Sequence, residues 1–195
     1  MSSNLRNVLD PKSVSLSVSS TTPGSSKKNL INPSASDEDQ PWSANVPSSL
    51  HLTFPEPISA THFALTFQGG FVATSAAVWV ARVEDRDGKA VGLGLMMGGK
   101  VYPEDRNKRQ IFEIPFPPSG LATEDEQPTS ATTNGPNIVT EVLPDHASTP
   151  EKREHAQRQR EGQQPPLLTE LKIEFEKSSD QYGRVTLYSI EVLGA

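Results

Sequence analysis

One segment of the chain has the glycine and lysine spacing of a phosphate-binding loop. It runs from Gly94 to Lys100 and reads Gly-Leu-Met-Met-Gly-Gly-Lys. Such a loop continues with a Ser or Thr that ligates magnesium, and then with a helix whose N-terminus meets the phosphates. Here Val101 follows the lysine, and Tyr102-Pro103 does not permit a helix at this point. We therefore expect no nucleotide site in this segment.

The residue types that most often catalyse reactions or bind transition metals form no recognisable pattern. Cysteine is absent, which excludes a thiolate metal site. His51 and His62 fall on separate predicted strands, and His146 and His155 lack the spacing of zinc ligands. No serine lies in the elbow motif of a hydrolase. The sequence thus predicts a protein that is not an enzyme.

A predicted tight turn carries the first candidates for contact with another molecule. Ser178-Ser179-Asp180 offers side-chain acceptors to the backbone, and Gly183 tolerates a positive φ. Tyr182 and Arg184 lie beside this glycine, and tyrosine and arginine are favoured anchors in protein interfaces. Alternatively, Arg184 pairs with Asp180 or another acid and only holds the turn. Both interpretations stay open on the sequence alone.

Two further segments have the same ambiguity. Tyr102-Pro103-Glu104-Asp105 either contacts a partner or caps a following turn. Phe71, which follows Gly69-Gly70, is either an exposed contact at a loop tip or folds back onto the core. The candidate partner-binding residues are Gln68, Phe71, Tyr102, Glu104, Asp105, Tyr182 and Arg184.

Alternation of apolar and polar residues predicts the β-strands that must position these segments. In the last strand, Val185 and Leu187 are expected on one face and Tyr188, Ile190 and Val192 on the other, which is typical of an interior strand. The predicted strands are 14–18, 50–54, 61–68, 77–83, 91–97, 110–115, 171–175 and 185–194.

Prolines, glycines and one tryptophan define the boundaries of these strands. Pro55 and Pro57 are expected to end the strand at 50–54. Gly92 and Gly94 mark a bulge or a close approach of two backbones. Trp42 is expected to be buried and to fix the loop-like segment around it.

The composition favours a small ordered core with long loops. Of 195 residues, 34% are hydrophobic, and the chain contains 17 prolines and 13 glycines. The net charge is −6, with basic residues scattered among acids, so we expect no direct binding to nucleic acid. The longest apolar run, residues 76–81, is too short for a membrane span. Together with the lack of cysteine, these features predict a protein of the nucleus, the cytoplasm or both, with no membrane association.

The distribution of polar residues predicts one domain with an interruption. Residues 1–13 form a flexible N-terminus, and 14–195 form a single domain interrupted at about 117–166. The interruption is rich in Thr, Ser, Pro, Glu and Gln. It cannot bury enough apolar surface to offset a backbone ordering entropy of about 1–2 kcal/mol per residue, so we interpret it as a disordered insertion of low complexity.

Short motifs in consistent order along the chain resemble a known family. They are Lys27-Lys28-Asn29-Leu30, Trp42, Phe67-Gln68-Gly69-Gly70-Phe71, Tyr102-Pro103-Glu104-Asp105, Ile114-Pro115 and Gly183-Arg184-Val185. The sequence resembles the discoidin domain, also called the coagulation-factor C-type domain, of the galactose-binding-like superfamily. It is more similar still to the small nuclear-receptor-associated proteins, which repress testicular receptor 4. The resemblance implies an all-β fold, an antiparallel β-sandwich or jelly roll.

The resemblance also implies a function. It points to an intracellular protein–protein interaction module, a regulator or corepressor of a nuclear receptor or another transcription complex. The alternative is a lectin-like module that binds a glycan or another small ligand. In galactose-binding-like folds, the loop that corresponds to Asp37-Glu38-Asp39 often holds a structural calcium ion. Here Pro33 and Pro41 bracket these three acids, and the sequence around them lacks the further acids and carbonyl groups that would complete a calcium site. A solvated acidic loop, with no cofactor, is the expectation.

Overall fold

A computed structural model describes residues 5–31, 40–86, 89–117 and 167–194. Apart from Pro117, the predicted insertion at about 117–166 lies outside the described residues, as do Asp37-Glu38-Asp39, His146 and His155. The strands are β1 (Arg6–Asn7), β2 (Ser15–Val18), β3 (Trp42–Asn45), β4 (Ser48–Ser59), β5 (His62–Phe67), β6 (Ala73–Arg86), β7 (Lys89–Val101), β8 (Arg109–Glu113), β9 (Leu167–Ser178) and β10 (Arg184–Gly194). The described ranges contain no helix, and so none that could cross a membrane.

The strands form two antiparallel sheets, which confirms the predicted all-β sandwich. In the first sheet, β10 pairs with β5 on one side and with β1 and β3 on the other, and β8 continues the sheet beyond β5. The second sheet has the order β2-β4-β9-β6-β7. Its strands β9 and β6 are central and pair along most of their length. The last strand of the chain is therefore an interior strand, as predicted.

The core lies between the sheets and centres on three aromatic rings. Phe67 of β5 and Phe175 of β9 meet edge to face, with centroids 6.0 Å apart. Trp42 is fully buried, lies 6.0 Å from the Phe175 ring, and donates its Nε1 hydrogen to the carbonyl oxygen of Ser20. Burial of Trp42 was predicted. Its place in a strand was missed, because β3 forms only by pairing with residues 184–187 of β10.

The N-terminal segment contains a short strand that was not predicted. Arg6 and Asn7 pair with the end of β10, and Leu9 is buried. The Asn7 side-chain oxygen accepts hydrogen bonds from the amides of Leu9 and Val192. A backbone ladder and this amide side chain thus hold residues that are mostly polar against β10. Residues 1–4 lie outside the described ranges.

Two strand predictions fail because the β-ladder shifts register. Strand β4 continues through Pro55 and Pro57 to Ser59. Its pairing with β9 is interrupted between Thr53 and Ile58, so the two prolines, which have no N–H, do not have to donate a hydrogen bond to β9. In β10, a shift between Leu187 and Ser189 adds one residue to the alternation.

The shift in β10 changes which side chains face the core. Val185, Leu187, Ile190 and Val192 all belong to the same hydrophobic core, whereas Tyr188 is exposed. The predicted division of these residues between two faces is therefore wrong.

The bulge predicted at Gly92 and Gly94 is present, because the pairing of β6 with β7 shifts register between Leu93 and Met96. A close approach of two backbones occurs at a different glycine of β7. A Cβ atom added at Gly98 would lie 1.6 Å from the carbonyl oxygen of Pro115, whereas one added at Gly92 or Gly94 would meet nothing within 4 Å. The segment that resembled a phosphate-binding loop therefore lies within an extended strand, crossed at Gly98 by residues that follow β8. This excludes the helix that a phosphate-binding loop requires.

The Arg82 side chain contacts Pro117, the last described residue after β8. Its side chain is 3% exposed, and Nη1 donates to the carbonyl oxygen of Pro117 over 2.6 Å. Nη2 forms an ion pair with Glu84, which is 13% exposed. In the ladder between β6 and β9, Arg82 is also opposite Leu168. One buried cation thus holds Pro117 beside the start of β9.

Candidate functional site

The turn before β10 is held by Asp180 and Gly183. The Asp180 carboxylate accepts hydrogen bonds from the amides of Tyr182, at 3.2 Å, and Arg184, at 3.0 Å. The amide of Gly183 donates to the carbonyl oxygen of Asp180, and Gly183 has a φ of 77°. The turn is therefore fixed by the aspartate and the glycine, and the Arg184 side chain is free to serve another purpose.

That side chain lies over an aromatic ring. The guanidinium carbon of Arg184 is 4.3 Å from the centroid of Phe71. Arg184 is exposed and Phe71 is half-buried, so the pair forms part of the surface. A cation held this close over an aromatic ring is attracted by the ring's quadrupole and loses side-chain freedom. Phe71 is thus neither a free loop tip nor a core residue, but the base on which Arg184 rests.

The loop that carries Phe71 is tied to β10 by its backbone. Thr186 donates its amide to the carbonyl oxygen of Phe71 and accepts from the amide of Gln68, at 2.9 and 3.0 Å. Gly70 has a φ of 81°, and its amide donates to the Asp105 carboxylate over 2.8 Å. The sequence placed Gln68 and Phe71 far from Arg184. The fold brings all three together.

The segment from Tyr102 to Asp105 supports this loop from the outside. The Asp105 carboxylate accepts from the Gly70 amide. The Glu104 carboxylate forms an ion pair with Arg106 over 2.8 Å. The backbone amide and carbonyl group of Glu104 both form hydrogen bonds with the side-chain amide of Gln110. The Tyr102 side chain is 68% exposed and that of Tyr182 is 80% exposed. Asp105 thus has a structural role, and the two tyrosines project from the surface.

An open cavity of about 400 Å³ lies where these loops meet. We call it the loop cavity. It is lined by Thr22, Pro23, Gly24, Ser25, Gln40, Pro41, Ser43, Gln68, Phe71, Arg184 and Thr186. Three predicted residues, Gln68, Phe71 and Arg184, line it, whereas Tyr102, Glu104, Asp105 and Tyr182 do not.

Hydroxyl groups on one wall of the loop cavity were not predicted. The carbonyl oxygen of Ser43 accepts from the amide and hydroxyl of Thr22 and from the hydroxyl of Ser25, at 2.8 to 3.2 Å. The Ser43 hydroxyl is 2.6 Å from that of Thr186. No local pattern marks these residues, since they come from a Ser- and Pro-rich loop that only the fold brings against β10.

A second polar cluster holds β7 and β9 together close to Tyr102. Lys100 donates to both carboxylate oxygens of Glu176, at 2.7 and 2.8 Å, and Ser75 donates to one of them at 2.7 Å. The bond from Lys100, and then that from Ser75, lower the pKa of the Glu176 carboxyl from its ordinary value. The same bond raises the pKa of Lys100.

This cluster should respond to acid in a defined direction. Because the pKa of Glu176 is lower in the folded than in the unfolded chain, the interaction stabilises the fold above the unfolded value and is lost as the pH falls through the folded one. We expect the carboxyl carbon of Glu176 to titrate in NMR below the ordinary range for glutamate. Lys100→Ala should raise its midpoint. Lys89→Ala, at the other end of β7, is the control and should not. An unchanged midpoint in Lys100→Ala would contradict this account.

The described part of the chain contains no group of three or more His, Asp or Glu residues placed to hold a metal ion. His51 is explained by its position on the sheet surface, where Nε2 lies 2.8 Å from the carboxylate of Glu170 on the neighbouring strand. His62 has a comparable local partner in the Thr61 hydroxyl. The side chains that line the loop cavity include the cation of Arg184, the amide of Gln68 and the aromatic ring of Phe71.

Comparison with known proteins gives two kinds of similarity. No protein-family model matches the chain. The nuclear receptor 2C2-associated protein of Danio rerio is 24% identical over 161 residues, which cover 82% of this chain and 74% of that protein. The protein of the same name from Bos taurus is 25% identical over 174 residues, with coverage of 86% and 79%.

Solved structures with the same fold have very different sequences. The F5/8 type C domain of a Bacteroides fragilis protein has a TM-score of 0.53 and 13% identity, over 95% of this chain and 94% of that one. A CBM32 module of Clostridium perfringens, solved in complex with GalNAc-β-1,3-galactose, has a TM-score of 0.52 and 10% identity, over 95% and 97%. The chain is therefore a discoidin-like β-sandwich whose sequence is similar, over most of its length, to the nuclear receptor 2C2-associated proteins.

Proposed function

We propose that this protein is a non-enzymatic, intracellular protein–protein interaction module. In this proposal it regulates a nuclear receptor or another transcription complex in the nucleus, the cytoplasm or both, and requires no cofactor. The names of the relatives from Danio rerio and Bos taurus support an association with a nuclear receptor. The partner contacts the loops around the loop cavity, with Tyr182 and Arg184 as anchors and Gln68, Phe71, Tyr102 and Glu104 around them.

The observation that carries this proposal is the preorganised pair of Arg184 and Phe71 beside an exposed Tyr182. Both anchors project from a turn whose backbone is already fixed by Asp180. Arg184 rests on Phe71, and Tyr182 is 80% exposed. A side chain that is ordered before binding loses less entropy when a partner arrives. Exposed arginine and tyrosine on a rigid turn are therefore suited to anchor an interface.

The experiment is affinity capture of the full-length protein with crosslinking, together with direct binding to purified nuclear receptor 2C2. We expect Tyr182→Ala and Arg184→Ala each to weaken binding about 10- to 30-fold, in the range for interface anchors. Both variants should keep the thermal stability of the unaltered protein, because both side chains are exposed. Arg6→Ala, in β1 at the other end of β10, is the matched control. Equal binding by all variants would overturn the proposed contact surface.

A glycan-binding function is the second candidate. The polar lining of the loop cavity, with a half-buried aromatic residue, favours it. One observation opposes it, because the Arg184 guanidinium covers a face of Phe71 on which a sugar would stack. A glycan array probed with and without calcium tests this alternative. Specific glycan binding, with no protein retained in the capture experiment, would replace the proposed function.

A further inference from the structure

We infer that Arg184 in the loop cavity forms a subsite for a single oxyanion on a partner peptide, either the carboxylate of Asp or Glu or the phosphate of a phosphorylated side chain. This inference rests on the proposed function and adds the chemistry of the group that is recognised. It follows from the charge of the cavity, from the hydrogen bonds that its other groups already make, and from the position of the guanidinium.

One charged residue is found among the described residues that line the loop cavity. Of the described residues that line it, Arg184 alone is charged. Two acids of the surrounding loops, Asp180 and Asp105, are already engaged with the backbone. Asp180 accepts from the amides of its own turn, and Asp105 accepts from the amide of Gly70. Each carboxylate thus stabilises a loop, and the structure gives neither a contact with the guanidinium. A ligand with a negative charge would complement the described lining.

The N–H donors among the described side chains that line the loop cavity are the Arg184 guanidinium and the amides of Gln40 and Gln68. The hydroxyl groups of Thr22 and Ser25 have acceptors in the carbonyl oxygens of Ser43 and Thr22, and one of the hydroxyls of Ser43 and Thr186 donates to the other. Three of these four hydroxyl protons are therefore committed within the fold. A cavity with more than one source of N–H groups favours an acceptor with several oxygens.

The position of the guanidinium favours a planar or branched oxyanion. The guanidinium carbon lies 4.3 Å from the centroid of the Phe71 ring, and this contact restricts the movement of the side chain. The N–H groups of a guanidinium form a rigid planar fork. An arginine held in this way can present two parallel N–H groups to a carboxylate or phosphate, which is the strongest form of charge-assisted hydrogen bond in proteins. A lysine at this position could not do so.

Short capped peptides test the inference directly. The probes are Gly-Asp-Gly and Gly-phosphoserine-Gly, with Gly-Asn-Gly as the neutral control, added to the full-length protein in phosphate-free buffer of low ionic strength. The readouts are the NMR signals of the Arg184 side-chain Nε–H and of the Phe71 and Gly183 amides. We expect saturable shifts with one or both anionic peptides and none with the neutral one. The peptide that binds more tightly identifies the source of the oxyanion.

Three variants separate recognition from folding. Arg184→Gln should weaken the anionic peptide about tenfold or more, and Arg184→Lys should recover only part of the loss. Arg6→Gln should have no effect. Equal shifts with Gly-Asn-Gly, or an unchanged titration in Arg184→Gln, would overturn the inference. Saturable shifts with N-acetylneuraminic acid, and none with the anionic peptides, would also overturn the inference. If the anionic peptides bound as expected but the affinity capture retained no partner protein, the oxyanion subsite would be supported and only the proposed protein-binding function would be rejected.

Discussion

Trp42→Ala is expected to lower the free energy of unfolding by about 3–5 kcal/mol, the usual cost of truncating a fully buried large aromatic side chain. Trp42 has no exposed surface and contacts Phe175 between the sheets. Its removal leaves a cavity and also frees the carbonyl oxygen of Ser20 and the hydroxyl of Thr21 from its indole N–H. Because native domains have a total stability of about 5–15 kcal/mol, this loss is a large share of the total.

Urea denaturation followed by circular dichroism measures this loss. Trp42→Phe keeps a six-membered aromatic ring and loses the N–H together with the rest of the indole, so it should cost clearly less than the alanine variant. Tyr182→Ala, which removes an exposed aromatic residue, should change stability by less than about 0.5 kcal/mol. A loss below about 1 kcal/mol in Trp42→Ala would mean that the core does not depend on this ring as its burial indicates.

Arg82→Ala should cost about 3–5 kcal/mol of stability, because it removes one partner of a buried ion pair. The Glu84 carboxylate would lose the cation that faces it in a position where water has little access, and the carbonyl oxygen of Pro117 would lose its donor. The double variant Arg82→Met with Glu84→Leu removes both charges. It should recover much of the loss, since apolar residues often replace a buried pair at little cost.

The same denaturation experiment checks this prediction. Arg106→Ala is the matched control, because its ion pair with Glu104 is exposed at both ends and should contribute less than about 1 kcal/mol. If Arg82→Ala and Arg106→Ala had the same small effect, the Arg82 pair would have to be far more hydrated than its 3% exposure indicates.

The sequence predicted well those strands in which apolar and polar residues alternate and the apolar residues face the core. Leu171, Ile173 and Phe175 in β9 are an example, and all three are in the core. Strand β3 has no such alternation and forms because β10 offers it a ladder. The orientation of Ile190 and Val192 could not be predicted either. It depends on a register shift at Tyr188, which no single-sequence pattern specifies.

In the candidate site, too, features set by neighbouring residues were predictable, whereas contacts between distant segments were not. Gly183 and Asp180 were predictable because a turn imposes demands on neighbouring residues, and the structure shows those demands met. The contact between Phe71 and Arg184 was not, since each residue was considered alone and the contact requires two distant loops. The hydroxyl groups of Thr22 and Ser25 were missed because a loop rich in serine and proline gives no local indication of which side chains face β10.

The position of Arg82 has a practical consequence for protein engineering. It holds Pro117 next to the start of β9, while the loop cavity adjoins the other end of that strand, where Val72 bonds to Ser179. From Leu167 to Ser178, at about 3.3 Å per residue, the distance is about 35 Å. A fluorescent reporter inserted between Pro117 and Leu167 would therefore be attached about 35 Å from the loop cavity. The Arg82 side chain bonds to one junction at Pro117, and its backbone position in the ladder is opposite Leu168 beside the other junction.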